Sequence, residues 1–141
     1  MIMERRFDHA AIEKKWQALH QQENLYAADV TDAKNKAYIL DMFPYPSGLG
    51  LLVGHWRGYV LSDFYARYAM LQGKNVLHPM GFDSFGLAAE NAAIKHKSQP
   101  KKFTDQAIKA IRPQLEQIGA AFDWTKYLST CDPSYYRWTQ W

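Results

Sequence analysis

A chain of 141 residues that is 48% hydrophobic and 15% aromatic can bury a core of its own, which excludes a disordered tail and bounds it to one domain or part of one. Its formal net charge of +3 is mildly basic, which permits nucleic-acid contact but lacks the basic stripe that would demonstrate it. The single cysteine, Cys131, excludes an internal disulfide and a thiolate zinc cluster and points to the cytoplasm, while no apolar run is long enough for a membrane partner and the Met1 to Arg6 start does not read as a signal peptide.

In chain order, Asp8 to about Gln22 begins with an N-cap residue and sets Ile12, Trp16 and Leu19 on one face, which predicts an amphipathic helix. Asn24 to Lys36 is a polar connection with Asp29 and Asp32 as turn formers. Ala37 to Phe43 is nearly continuous in apolar residues, as a buried parallel strand would be. Val60, Phe64, Tyr68 and Leu71 recur at helical spacing and are expected to pack on the sheet, with Gly73 as the stop. Asn75 to Phe82 reads as the second strand, so a helix joins two strands and a right-handed parallel crossover is expected. Glu90 to about Lys97 reads as helical and Ser98-Gln-Pro-Lys-Lys as a break. A long helix fits Thr104 to Ala121, with Ala107, Ile108, Ile111, Leu115 and Ile118 inward and Pro113 expected to kink or divide it. Phe122 to Trp141 is aromatic and turn-rich. Five Trp and nine Tyr are many for this length, and some of those rings are expected to be exposed in this piece by itself.

The stretch from Asp41 to Asp63 lies where the first strand hands over to a helix. Pro44 and Pro46 hold it extended and remove two amide donors, while Gly48 and Gly50 allow a ligand to approach the main chain. Gly54 and His55 fall at the start of the helix, where free amides and the helix dipole favour an anion such as a nucleotide phosphate. His55 can donate to it through either ring nitrogen. The spacing is neither a Walker loop nor a dinucleotide fingerprint. The residues after the second strand, Asp83 to Ala89, reach the same carboxyl rim of the sheet, where open parallel sheets bind ligands.

Phe43-Pro-Tyr-Pro-Ser-Gly followed by Val53-Gly54-His55 resembles the first signature of the class I aminoacyl-tRNA synthetases in its leucyl form. Gly81-Phe-Asp-Ser-Phe-Gly-Leu-Ala-Ala-Glu90 resembles a second leucyl element, and Phe7-Asp8, Lys15-Trp16, the run from Lys74 to Met80, Asp123-Trp124 and Tyr135-Tyr136-Arg137-Trp138 follow in the same order. The resemblance is to the beginning of leucyl-tRNA synthetase, and the Lys-Met-Ser-Lys-Ser signature is absent from these residues. It implies an α/β fold: the first half of a Rossmann-like parallel-sheet nucleotide-binding domain at 37–141, truncated before the insertion and editing region, behind an N-terminal helical arm and connection at 1–36.

The activity implied is leucyl-adenylate formation from ATP and leucine, followed by leucyl transfer to tRNA(Leu) in a full-length context. Pro44, Gly48, Gly54, His55 and Glu90 are implied on the ATP side, with His55 the catalytic residue, stabilising charge at the α-phosphate. Met42, Phe43, Tyr45 and Asp83 are implied on the leucine side, Asp83 pairing with the α-ammonium. No tightly bound cofactor or metal site is implied, and Mg2+ would be brought by ATP. Other readings of the same residues stay open. Met42 and Phe43 could be core packing, Asp83 could cap the following helix, and Glu90 with Asn91 could simply begin that helix. Lys95, Lys97, Lys101 and Lys102 could approach a tRNA acceptor end or form a solvated face.

Two positions depart from the pattern. Leu52 stands where the signature has its first histidine, and leucine can neither donate nor carry charge. Ala88 stands for a proline, which loosens the turn near Asp83. An impaired synthetase piece is therefore weighed against a non-catalytic module that binds an amino acid, nucleotide or partner protein, and against a structural piece that self-associates or pairs with a second chain.

Overall fold

The computed structural model describes residues 7–32, 34–48 and 50–141, so the Met1 to Arg6 start lies outside the described residues. Among the described residues five helices and four short strands are interspersed, as expected for an α/β chain. Helix α1 (His9–Gln22) opens on the Asp8 carboxylate, which accepts the amide N–H of Ala11 at 3.0 Å. No residue of α1 is buried, and Trp16 remains half exposed. The connection turns where expected, with Asp29 accepting both the N–H and hydroxyl of Thr31 and Asp32 accepting the N–H of Lys34.

Strand β1 is shorter than the apolar run suggests, covering only Lys36–Tyr38. Ile39 is buried, but Leu40 and Met42 face outward, and Pro44 and Pro46 have no N–H to extend a ladder. Helix α2 (Val53–Leu71) leads from the loop to β2 (Asn75–Leu77), which pairs in parallel with β1 as the crossover predicts. Gly73 ends this passage at φ +74, the left-handed conformation a C′ residue adopts.

The face that α2 turns inward is not the expected one. Tyr59, Ala66 and Ala69 are buried, whereas Phe64 is 73% and Leu71 84% exposed, with Val60 and Tyr68 also open. Small residues let a helix lie close to the strands, and Ala66 and Ala69 pack with Ile39 and Val76. The expected second strand is likewise two. His78 interrupts it, β2 pairing with β1 and β3 (Pro79–Phe82) pairing in parallel with β4 (Asp123–Ser129). Pro79 lacks a donor, and the His78 carbonyl is instead taken by the N–H of Asp123 at 2.7 Å.

Helix α3 (Leu87–Lys95) starts three residues before Glu90. Pro100 occupies the first turn of α4 (Pro100–Ile118), where a missing N–H costs little, so part of the expected break is helix. Pro113 does not divide α4. The helix is held on both sides of it by buried Ile111 and Leu115, which join Tyr59, Met80, Phe82, Ala120 and Phe122 in the main core. Full burial of each large apolar side chain is worth about 1.5–3 kcal/mol, more than a single forgone backbone hydrogen bond. The aromatic end, expected to be turn-rich, forms β4 and α5 (Pro133–Gln140), the latter again opening on a proline after Asp132.

Candidate active site

The loop between β1 and α2 is anchored at several points. Pro44 and Pro46 are buried, the Pro44 carbonyl accepts the N–H of Asp83 at 3.1 Å, and Gln114 of α4 accepts the N–H of Leu51 at 3.1 Å. The Met42 carbonyl accepts the hydroxyl of Tyr59 at 3.1 Å. Ser62 donates to Asp41, whose other oxygen takes the N–H of Met42. The loop is thus fixed by α2, α4 and the end of β3 together.

This fixed loop separates two cavities that share Met42. The larger, of about 570 Å³, is lined by Met42, Phe43, Tyr45 and Asp83, with Phe85, Thr130 and the Tyr135, Tyr136, Thr139 and Gln140 face of α5 opposite. All four residues expected on the leucine side therefore meet in one place. Met42 is 82% exposed and contributes nothing to the core, whereas Phe43 is half-buried and packs against it while also reaching the cavity. Tyr45 stands exposed between its two buried prolines. Asp83 does not cap α3, whose N-cap is Gly86 at φ +111. Its Oδ1 instead accepts the hydroxyl of Thr130 at 3.3 Å.

The smaller cavity, of about 140 Å³, is lined by Asp41, Met42, Leu52, Gly54, His55, Gly58 and Tyr59. Leu52 is the N-cap of α2 and offers no side-chain acceptor, so the helix begins without a side-chain cap. Its N–H donates to Nδ1 of His55 at 3.0 Å. Donation through either ring nitrogen is thereby corrected: Nδ1 is used as an acceptor, and Nε2 is the nitrogen left to donate. The imidazole lies on Tyr59, nearly parallel at 7° with ring centroids 5.9 Å apart. Tyr59 is itself buried, and burial chiefly, helped by the charge of Asp41, pushes its phenol well above the ordinary range. The ring is therefore a permanent neutral support and hydrogen-bond donor.

Gly48 and Glu90 line neither cavity, and Pro44 serves as a buried anchor beside the larger one. Ala88 is exposed in the first turn of α3, beyond the Asp83 turn. The basic residues Lys95, Lys97, Lys101 and Lys102 are all exposed, and Lys101 pairs with Asp105 four residues on. Sequence reasoning missed the wall made by α5 and Thr130. The Asp132-Pro133 pair, an N-cap type followed by proline at the first helical position, was the available signal. Among the described residues no group of three or more His, Cys, Asp or Glu could hold a metal ion, and no helix is long and apolar enough to cross a membrane.

A family model described as tRNA synthetases class I (M) matches residues 37–140. The leucine–tRNA ligase of Azobacteroides pseudotrichonymphae is 52% identical over 136 residues, covering 96% of this chain and 15% of that protein. That of Chlorobium limicola is 50% identical, covering 96% of this chain and 17% of its own length. A solved structure, the Agrobacterium radiobacter K84 agnB2 LeuRS-tRNA-LeuAMS ternary complex, superposes with a TM-score of 0.85 at 42% identity over 92% of this chain and 17% of that one. The chain thus spans about one sixth of the length of the curated relatives it matches.

Proposed function

Since the chain belongs to the class I tRNA synthetases, we propose that it supplies the leucine pocket and part of the ATP site of a leucyl-tRNA synthetase catalytic domain. The observation that carries this reading is the convergence of Met42, Phe43, Tyr45 and Asp83 on one cavity that shares Met42 with the cavity of His55. The apolar walls suit an aliphatic side chain, and Asp83 is the acidic residue among those lining that cavity, suited to an α-ammonium group. In the reaction so assigned, a carboxylate oxygen of leucine attacks the α-phosphorus of ATP. The bond to the bridging oxygen breaks, pyrophosphate leaves, and leucyl-adenylate remains. The leucyl group then passes to tRNA(Leu), releasing AMP.

In this scheme His55 donates from Nε2 to the phosphates, while Gly54 keeps the helix start open to them. Magnesium enters with ATP. Leu52, 69% exposed at the edge of the same cavity, brings a methyl-bearing side chain where a second donor would act. Losing one preorganised donor to developing charge reduces rate roughly a hundredfold or more, so adenylate formation is impaired here. Leu52 also favours a second reading, a non-catalytic module that retains amino-acid binding.

Titration of the chain with leucine tests the pocket. Asp83→Asn should weaken leucine binding at least tenfold, as expected for loss of a charge-assisted hydrogen bond, and an unchanged affinity would overturn the role of Asp83. Leu52→His separates the two readings where the rest of the site is assembled: in a full-length context pyrophosphate exchange should rise if adenylation is the function, and should stay at background if the module only binds.

A further inference from the structure

We infer that Thr130 is a positioning residue for Asp83, holding its carboxylate so that one oxygen is presented to the ammonium group of an α-amino acid. The inference rests on the role proposed above for Asp83 and extends it to a residue outside the signature motifs. The Thr130 Oγ1 accepts the N–H of Ser84 at 2.8 Å and the N–H of Phe85 at 3.1 Å. A hydroxyl has two lone pairs and one hydrogen. With both lone pairs engaged, the hydrogen goes to the remaining neighbour, Oδ1 of Asp83 at 3.3 Å. Among the described residues no hydrogen bond or ion pair reaches Oδ2, while Asp83 lines the larger cavity.

Thr130 is itself held in place by the two parallel strands. Its N–H donates to the Phe82 carbonyl at 3.1 Å, directly after the Phe82–Ser129 pairing of β3 with β4. Beneath it, the buried Ser84 and Ser129 hydroxyls meet at 2.6 Å, and the N–H of Cys131 donates to Ser84 Oγ at 3.2 Å. The carboxylate therefore sits at the end of a short, fully directed chain: strand carbonyl, threonine backbone, threonine hydroxyl, Asp83. Such a chain lowers the freedom an unbound carboxylate would lose on gripping an ammonium. Thr130 does not itself need to touch the amino group.

The test compares leucine with 4-methylpentanoate, which has the same side chain and carboxylate but no ammonium, by titration into the wild-type chain, Asp83→Asn, Thr130→Val and Thr130→Ser. Thr130→Val should weaken leucine roughly three- to tenfold, less than loss of the Asp83 charge itself because the ligand feels the missing hydroxyl only through the carboxylate, while changing 4-methylpentanoate less than about twofold. Thr130→Ser, which keeps the hydroxyl, should restore leucine to within about twofold of wild type. Equal loss of both ligands in Thr130→Val would show a merely structural role and overturn the inference. So would full leucine affinity in Thr130→Val alongside a weakened Asp83→Asn, which leaves the reading of Asp83 intact. If instead the wild-type chain does not prefer leucine to 4-methylpentanoate and Asp83→Asn changes nothing, the reading of Asp83 fails and Thr130 falls with it. Should the valine variant not fold, Thr130→Cys carries the same comparison, its thiol being a weaker partner at the same junction.

Discussion

Replacing Gly81 with alanine should destabilise the fold by about 3 kcal/mol, the upper end of what overpacking costs. Gly81 lies in β3 opposite Leu128 of β4. A Cβ at that position would fall well inside 3.0 Å of the Leu128 carbonyl oxygen and 3.1 Å from its Cγ. The carbonyl belongs to the backbone of the paired strand and cannot swing aside as a side chain tip could, so the two strands must part by roughly an ångström. About 3 kcal/mol is more than a hundredfold in the folding equilibrium and a large part of the roughly 5–15 kcal/mol a domain possesses. Urea unfolding followed by tryptophan fluorescence reads this as a lower midpoint at unchanged slope. Gly48→Ala is the matched control, because nothing lies within 4 Å of the added carbon. Unfolding of Gly81→Ala at the same urea concentration as the control would refute a clash between the two strands.

At Gly54, in the first turn of α2, an added Cβ also meets nothing within 4 Å. Gly54→Ala should therefore raise stability by about 0.5–1 kcal/mol, as in other helices, yet weaken ATP severalfold by titration, since the methyl group enters the smaller cavity; unchanged ATP affinity would remove the phosphate from that helix start. His78 is fully buried, and burial lowers its pKa against smaller opposing effects of Asp41, the Ala121 carbonyl and Asp63. The unfolded chain then binds the proton more readily, so the contribution of His78 to stability is complete above its unfolded pKa of about 6.5 and is lost as pH falls toward the lowered folded value, at up to about 1.4 kcal/mol per pH unit. Urea midpoints between about pH 7 and 5 should show a shallower fall in His78→Gln; parallel profiles would refute the assignment.

Signals carried by one residue and its near neighbours were legible in the sequence. Asp8 caps α1, Gly73 takes positive φ, and the β1, α2, β2 unit crosses over in parallel. Signals that depend on what lies across the fold were not. The bulky stripe of Val60, Phe64, Tyr68 and Leu71 outweighs the alanines in any hydrophobicity pattern, yet Ala66 and Ala69 face the strands because only small side chains allow close approach. The apolar run through Leu40 and Met42 read as strand, but Pro44 and Pro46 have no N–H to carry a ladder onward, and it becomes the wall between two cavities. Around the larger cavity, the motif residues Met42, Phe43 and Tyr45 share one loop that a sequence pattern can mark. Thr130 was not, because a single hydroxyl 47 positions from Asp83 has no local pattern to betray it.

The ring of Tyr59 rests against His55 on one side and donates to the Met42 carbonyl at its tip. If a triphosphate binds at His55 as proposed, a tilt of the imidazole would press on Tyr59 and, through its hydroxyl, on the Met42 main chain beside the larger cavity. Occupancy of either chamber should alter affinity in the other by the same factor, a mutual linkage that thermodynamics requires to run in both directions. Order of addition would then influence the approach to equilibrium and not its endpoint.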